Sequence, residues 1–135
     1  MIQLFFENIE KIDIHPKIEK WIENIILSEH KKMGEINYIF CDDQYLLQVN
    51  QDFLKHDYYT DIITFDYVKG KIISADIFVS LTRISENSLN LSTDLYQELY
   101  RVLAHGILHL CGYKDKTPTE IIEMRQKEDF YLNIL

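Results

Sequence analysis

Apolar and polar residues along this chain fall into strand-like runs and amphipathic stretches, giving way to a helical C-terminal part. IQLFFE (2–7) alternates and is aromatic, which predicts a strand. Past Pro16, placed for the first turn of a helix, Ile18, Trp21, Ile22, Ile25 and Ile26 recur at helical spacing. Gly34, after the basic run His30-Lys31-Lys32, reads as that helix's stop. INYIFC (36–41) predicts a second strand, and Asp42 or Asp43 then caps a helix through Leu46, Leu47, Val49, Asn50 and Phe53. DIITFDY (61–67) and IISADIFV (72–79) predict two strands, with a short turn at Lys69-Gly70 that makes them antiparallel. From Ser80 onward the pattern is helical. One helix runs through Ile84 to a boundary near Leu91, and a second, capped by Ser92 or Thr93, runs through Tyr100, Leu103 and Ile107 to a stop at Gly112. Thr117-Pro118-Thr119-Glu120 opens the last. Four strands followed by three closing helices place the chain in the α+β class.

Composition narrows the picture. The 135 residues are 47% hydrophobic and 13% aromatic, enough for a core and too apolar for a disordered chain. Four glycines and two prolines, with no repeat or low-complexity tract, leave no linker, so residues 1–135 read as a single domain. No run approaches the length of an uncharged membrane span. MIQLFFENIEKID has neither a basic leader nor an unbroken apolar core, so no signal peptide is expected. Cys41 and Cys111, far apart and outside any CxxC spacing, read as reduced, buried residues of a cytoplasmic protein. The net charge of −8 argues against indiscriminate nucleic-acid binding, because a polyanion is repelled unless cations gather locally.

The chemistry is concentrated in HGILHLCGYKDK (105–116). On a helix His105 and His109 share one face and offer nitrogens to one ion, and the glycine stop lets the chain turn back to deliver Asp115 as a third ligand. Two imidazoles and a carboxylate suit zinc, and three protein ligands leave a fourth position open, as in catalytic sites. The alternative is a pair of core histidines satisfied by backbone partners. Gly106 stands where HExxH metalloproteases carry their glutamate base, which disfavours peptide hydrolysis.

HGILHLCGYKDK resembles the HGxLHLxGYDH signature of the YbeY-type ribosomal RNA maturation factors, which are metal-dependent endoribonucleases. TDIITFDY (60–67), ISADIFVS (73–80) and VNQDFL (49–54) are similar to further blocks of that family, as are Met124 and Glu128 in the closing helix. The resemblance implies a four-stranded mixed sheet with helices packed around it and a metal site of one zinc ion on the C-terminal helices. It implies hydrolytic cleavage of single-stranded RNA in trimming the 3′ end of small-subunit ribosomal RNA. Ribosomal RNA and the small ribosomal subunit with its proteins are the implied partners, in the cytoplasm and away from any membrane. Carried over by position, His105 and His109 match the first two ligands, while Asp115 stands where the family usually has a third histidine. Aspartate is a competent oxygen ligand whose extra charge makes the ion a weaker Lewis acid. The other possibility is that Asp115 does not bind and the site is weak or empty. Where the family usually has a cleft arginine this chain has Leu54, which removes a cation from a reaction whose transition state gains negative charge. Lys55, His56 and above all Arg83 are the candidate replacements.

Asp61 reads as an acceptor orienting a metal-bound histidine or the metal's water, or simply as a strand-entry turn residue. With Arg83 it forms the candidate catalytic pair, and His56 is a second candidate base. Asp76, charged in mid-strand, is expected to bond nearby backbone, and Arg101 to pair with Glu98 or Asp94. Lys114 and Lys116 read as phosphate contacts or as ordinary loop lysines. Tyr58, Tyr59 and Tyr113 read as base-stacking groups or as core. Two rival functions stay open: a zinc hydrolase of another substrate such as peptide, and a non-catalytic ribosome-assembly factor with structural zinc.

Overall fold

β-Branched and aromatic residues form four strands in the computed structural model, which describes residues 1–56 and 59–135: β1 (Ile2–Glu7), β2 (Lys32–Cys41), β3 (Ile62–Asp66) and β4 (Ile72–Ser80). Tyr58, one of the candidate stacking residues, lies outside the described residues. The sheet order is β1-β2-β4-β3, with β1 parallel to β2, β2 parallel to β4, and β3 antiparallel to β4 across the Lys69-Gly70 turn. Around it lie α1 (Ile18–Ser28), α2 (Asp43–Leu54), α3 (Leu81–Asn90), α4 (Leu95–Leu110) and α5 (Pro118–Leu132). This is the α+β mixed sheet expected from the sequence.

Side chains alternate across the sheet. On one face Tyr38 and Phe40 of β2 and Ile73, Ile77 and Val79 of β4 pack with Ile22, Ile25 and Ile26 of α1 and Leu99, Leu103 and Ile107 of α4. On the other, Leu46 and Val49 of α2 cover Cys41, Ile63, Phe65 and Phe78. Each fully buried aliphatic side chain contributes roughly 1.5–3 kcal/mol, so α4 is fixed by its apolar face before any polar contact is counted. The Trp21 indole N–H donates to the Tyr131 carbonyl at 2.8 Å and ties α5 to α1. Both cysteines are free, and burial pushes the Cys41 thiol up to about 12, leaving it inert.

Three sequence expectations need correction. Gly34 does not stop α1: the helix ends at Ser28, His30 makes the reversal with φ 64°, and Gly34 lies inside β2. Its role is close approach, since a Cβ there would sit 2.2 Å from Ser74 Oγ and 3.1 Å from the Ile73 carbonyl oxygen, where the β2–β4 register shifts. The cap of α4 is Asp94, whose carboxylate accepts from the Tyr96 and Gln97 amides at 3.1 and 3.4 Å, whereas Ser92 is the left-handed residue (φ 55°) that follows α3. Asp76 is paired by side chains instead of backbone, accepting from Asn37 Nδ2 at 2.9 Å and the Tyr67 hydroxyl at 3.3 Å. Of the two candidate caps for α2, Asp42 is the one used, accepting from the Tyr45 amide at 2.8 Å.

Gly34→Ala is expected to cost roughly 1–3 kcal/mol through overpacking, read as a lower urea midpoint at unchanged slope. Adding Ser74→Ala should recover part of the loss. An unchanged midpoint in the single variant would show that the β2–β4 approach is not what demands glycine.

Candidate metal centre

α4 buries Leu99, Leu103 and Ile107, and the same helix carries His105 and His109 one turn apart with ring centroids 4.6 Å from each other. The helix then closes on Gly112. Its amide donates to the His109 carbonyl and the Tyr113 amide to the Leu108 carbonyl, both at 3.0 Å, the Schellman arrangement. Gly112 takes φ 113°, a conformation that favours residues without a side chain. The reversed chain brings Asp115 Oδ2 to 3.2 Å from His105 Nε2 and 3.4 Å from His109 Nε2. α5 begins at once with a capping box: Thr117 Oγ1 accepts from the Glu120 amide at 3.2 Å and Glu120 Oε1 from the Thr117 amide at 2.9 Å. The connecting loop is thus fixed at both ends.

The three side chains each place a ligand atom within 4.8 Å of the others. A tetrahedral ion bound at about 2.0–2.2 Å spaces its ligand atoms by about 3.3–3.6 Å, close to the two carboxylate contacts seen here. The remaining ring nitrogens support the same conclusion. His109 Nδ1 lies 2.9 Å from the Tyr113 carbonyl, which only accepts, so Nδ1 carries hydrogen and Nε2, on the Asp115 side, is the ring atom left to ligate an ion. His105 Nδ1 lies 2.7 Å from Glu128 Oε2. Arg101 in turn donates to Glu128 Oε1 at 2.9 Å and to Asp129 Oδ1 at 2.6 Å. Carboxylate and carbonyl partners of this kind orient metal-binding imidazoles and raise their basicity. The donor set fits a divalent ion.

Burial pushes the Glu128 carboxyl up, but the hydrogen bonds from His105 and Arg101 outweigh it and hold the group below its usual range. Burial likewise pulls His105 down, and the Glu128 contact outweighs it, leaving the ring more basic than usual. Beside them opens a cleft of about 360 Å³ whose wall includes Asp61, Glu98, Arg101, His105, Asp115 and Glu128. Burial raises the Asp61 carboxyl, with His105 and Arg83 opposing through space. Burial and the neighbouring Asp61 charge raise Glu98.

These geometries sort the other residues singled out in the sequence. The histidine acceptor is Glu128, while Asp61 faces His105 across the cleft without bonding its ring. Arg83 lies off the cleft wall: it pairs with Asp43 at 2.8 Å and Glu86 at 2.9 Å, sits 5.2 Å from the centre of the Tyr59 ring, and reaches Asp61 only by its field. Leu54 is 39% exposed at the end of α2, and Lys55, with φ 59°, caps that helix away from the cleft. Arg101 does pair with acids, but with Glu128 and Asp129 in place of Glu98 or Asp94. Tyr113 is structural. Its hydroxyl donates to Glu29 Oε1 at 2.6 Å, and Glu29 also accepts from the Tyr131 hydroxyl and from Lys127 Nζ at 3.2 Å. A glycine at 106 is explained as well, because a Cβ there would lie 2.9 Å from Ile62 Cδ1 and face the sheet.

Comparison with known proteins gives the family. The family model described as Endoribonuclease YbeY matches residues 5–135. This chain belongs to the endoribonuclease YbeY family. Relatives carrying that name include one from Flavobacterium johnsoniae, 50% identical over 129 residues and covering 96% of this chain and 93% of its own. One from Cytophaga hutchinsonii is 54% identical, covering 87% and 83%, and one from Karelsulcia muelleri is 45% identical, covering 100% and 96%. A solution structure of a Thermotoga maritima protein has the same fold, with TM-score 0.67 and 27% identity over 97% of this chain and 86% of that one.

Sequence reasoning noted Glu128 as a family position without giving it a partner, and it passed over Glu29 and Arg125. Glu128 could have been suspected as a lone acid at helical spacing among Met124 and Tyr131. Glu29, far away at the C-terminal cap of α1, leaves no local signal. Glu128→Gln is expected to weaken zinc binding roughly 10–100-fold, measured by competition with a chromophoric chelator; unchanged affinity would show that His105 does not depend on it. Burial pushes Glu29 up, but its bonds from Tyr113, Tyr131 and Lys127 hold it below its ordinary value near 4.5. The stability it contributes is therefore present above that value and lost as pH falls through the lower folded one. Glu29→Gln should cost roughly 1.5–3 kcal/mol at neutral pH, with the gap to wild type closing in acid. A gap independent of pH in urea titrations would contradict this.

Proposed function

We propose that residues 1–135 form one metal-dependent endoribonuclease unit that hydrolyses single-stranded RNA, acting at the 3′ end of small-subunit ribosomal RNA. The reading is carried by one observation: two histidine Nε2 atoms and one carboxylate oxygen converge at the wall of an open cleft. The relatives' name, Endoribonuclease YbeY, supports RNA as the substrate class. The proposed partners are ribosomal RNA and the small ribosomal subunit with its proteins, and the proposed location is the cytoplasm. Among the described residues no helix is long and apolar enough to cross a membrane.

Nitrogen ligands with one carboxylate suit zinc best. His105, His109 and Asp115 would hold it, and once bound it would supply Lewis acidity toward a phosphodiester oxygen and toward water. The protein's own groups do the rest. Glu128 and the Tyr113 carbonyl keep both imidazoles in the tautomer that presents Nε2, and Arg101 keeps Glu128 ionised. Asp61, desolvated in the cleft beside His105, takes the proton from the attacking oxygen. Arg83 acts on Asp61 as a distant positive charge and is a positioning residue. Peptidase chemistry of the HExxH type is opposed sterically, since position 106 points into Ile62.

The double variant His105→Ala, His109→Ala should lose zinc and single-strand cleavage together while keeping its far-ultraviolet circular dichroism. Retained cleavage without metal would refute the mechanism. Asp61→Asn should keep zinc and lower kcat about 10²–10⁴-fold; a wild-type rate removes Asp61 from the reaction. Casein digested by the zinc-loaded protein while RNA survives would point to the peptidase rival.

A further inference from the structure

The cleft is electrically awkward for RNA. Its wall carries the carboxyl groups of Asp61, Glu98, Asp115 and Glu128 against the guanidinium groups of Arg101 and Arg125. Arg101 is committed, with one terminal nitrogen on Glu128 and the other on Asp129, and only 23% of its side chain is exposed. Arg125 is different. Its Nη1 lies 3.8 Å from Glu128 Oε1, beyond hydrogen-bonding distance, and its side chain is 59% exposed. Glu128 has both oxygens engaged already, by Arg101 and His105, so it holds Arg125 weakly. At that length, with the Arg125 end in solvent, the contact adds little to what Arg101 and His105 already supply to the buried Glu128. Arg125 also starts from a rigid base, directly after the buried Met124 and one turn before Glu128 on α5.

We propose that Arg125 is the substrate-phosphate arginine of this cleft, its guanidinium donating to non-bridging oxygens of an RNA phosphodiester at the mouth beside His105. The inference rests on the endoribonuclease reading for its substrate. A guanidinium matches two phosphate oxygens at once, whereas an ammonium acts as a point charge. Arg83 is spent on Asp43 and Glu86, and Lys114 and Lys116 stand on the loop outside the cleft wall. Among the described residues lining the cleft, Arg125 is the cation with donors to spare.

The test uses the zinc-loaded full chain, Arg125→Gln and Arg125→Lys, with a labelled single-stranded RNA for kinetics and a labelled single-stranded DNA of equal length for equilibrium anisotropy. Arg125→Gln should lower kcat/KM about 10–100-fold, mainly through KM, and Arg125→Lys should recover part of it. The slope of log affinity against log salt should shrink by about 0.7 for one lost phosphate contact on a single strand. Zinc affinity and the urea midpoint should not move, as they would if Arg125 merely braced Glu128. Wild-type kcat/KM and salt slope in Arg125→Gln would overturn the proposal and leave the endoribonuclease reading intact. A wild-type protein that binds with an Arg125-dependent salt slope yet never cuts RNA would sink that reading while keeping the phosphate contact; one that neither cuts nor binds sinks both.

Discussion

Asp115 reaches the two imidazoles because the chain reverses within a few residues of the end of α4, and that reversal is built from backbone geometry. Gly112 accepts a positive φ, the Schellman bonds close the last turn, and the capping box at Thr117 starts α5 immediately. Nothing in the loop itself is deeply buried, so local bonds have to do what packing does elsewhere. Tyr113 adds the tertiary anchor: its carbonyl holds His109 Nδ1 while its hydroxyl is gripped by Glu29, the residue just past α1. One residue therefore sets both the tautomer of a ligand and the position of the loop that delivers another.

The electrostatics follow from this geometry. Glu128 is 5% exposed yet held ionised, which is tolerable because both of its oxygens are bonded. Asp61 and Glu98 face the same cleft and are raised by burial and, for Glu98, by its neighbour. A site so rich in carboxyl groups in a chain of net charge −8 repels RNA unless cations intervene. A divalent ion held by His105, His109 and Asp115 would supply two positive charges at the point of greatest need, and the weakly held Arg125 guanidinium on the rim would supply a third. The acidity that reads as a mark against nucleic-acid binding is thus consistent with an enzyme whose substrate affinity depends on its metal.

Much of this was legible from residue order, and the rest was hidden for identifiable reasons. Ile18, Trp21, Ile22, Ile25 and Ile26 announce the buried stripe of α1, and HGILHL followed by Gly112 announces a helix, its stop and two histidines on one face, because periodicity and capping are local. Asp115 could be suggested from the turn alone. Gly34 misled because its requirement comes from Ser74 on another strand, and no local pattern records a close approach. Asp94 is hard to single out as a cap because Ser92 and Thr93 precede it with equally suitable side chains, and the amide bonds it accepts from Tyr96 and Gln97 decide among them. Glu29 is invisible for the same reason as Gly34, its partners lying far along the chain, whereas Arg125 has a neighbour on its own helix and takes its meaning from the cleft it lines.

α5 shows what this division implies for the site. Its buried residues are Met124, Glu128 and Tyr131, so apolar burial alone holds the helix weakly. It is pinned instead by polar contacts that belong to the site or its support: Glu128 to His105 and Arg101, Tyr131 and Lys127 to Glu29, and the Tyr131 carbonyl to Trp21. A helix docked in this way carries the acceptor of His105, so the orientation of that ring depends on α5 keeping its place. An ion that binds only the assembled triad must then stabilise α5, because it draws on the docked population. Arg125 travels with the same helix, which places metal binding, histidine orientation and phosphate contact under a single structural control.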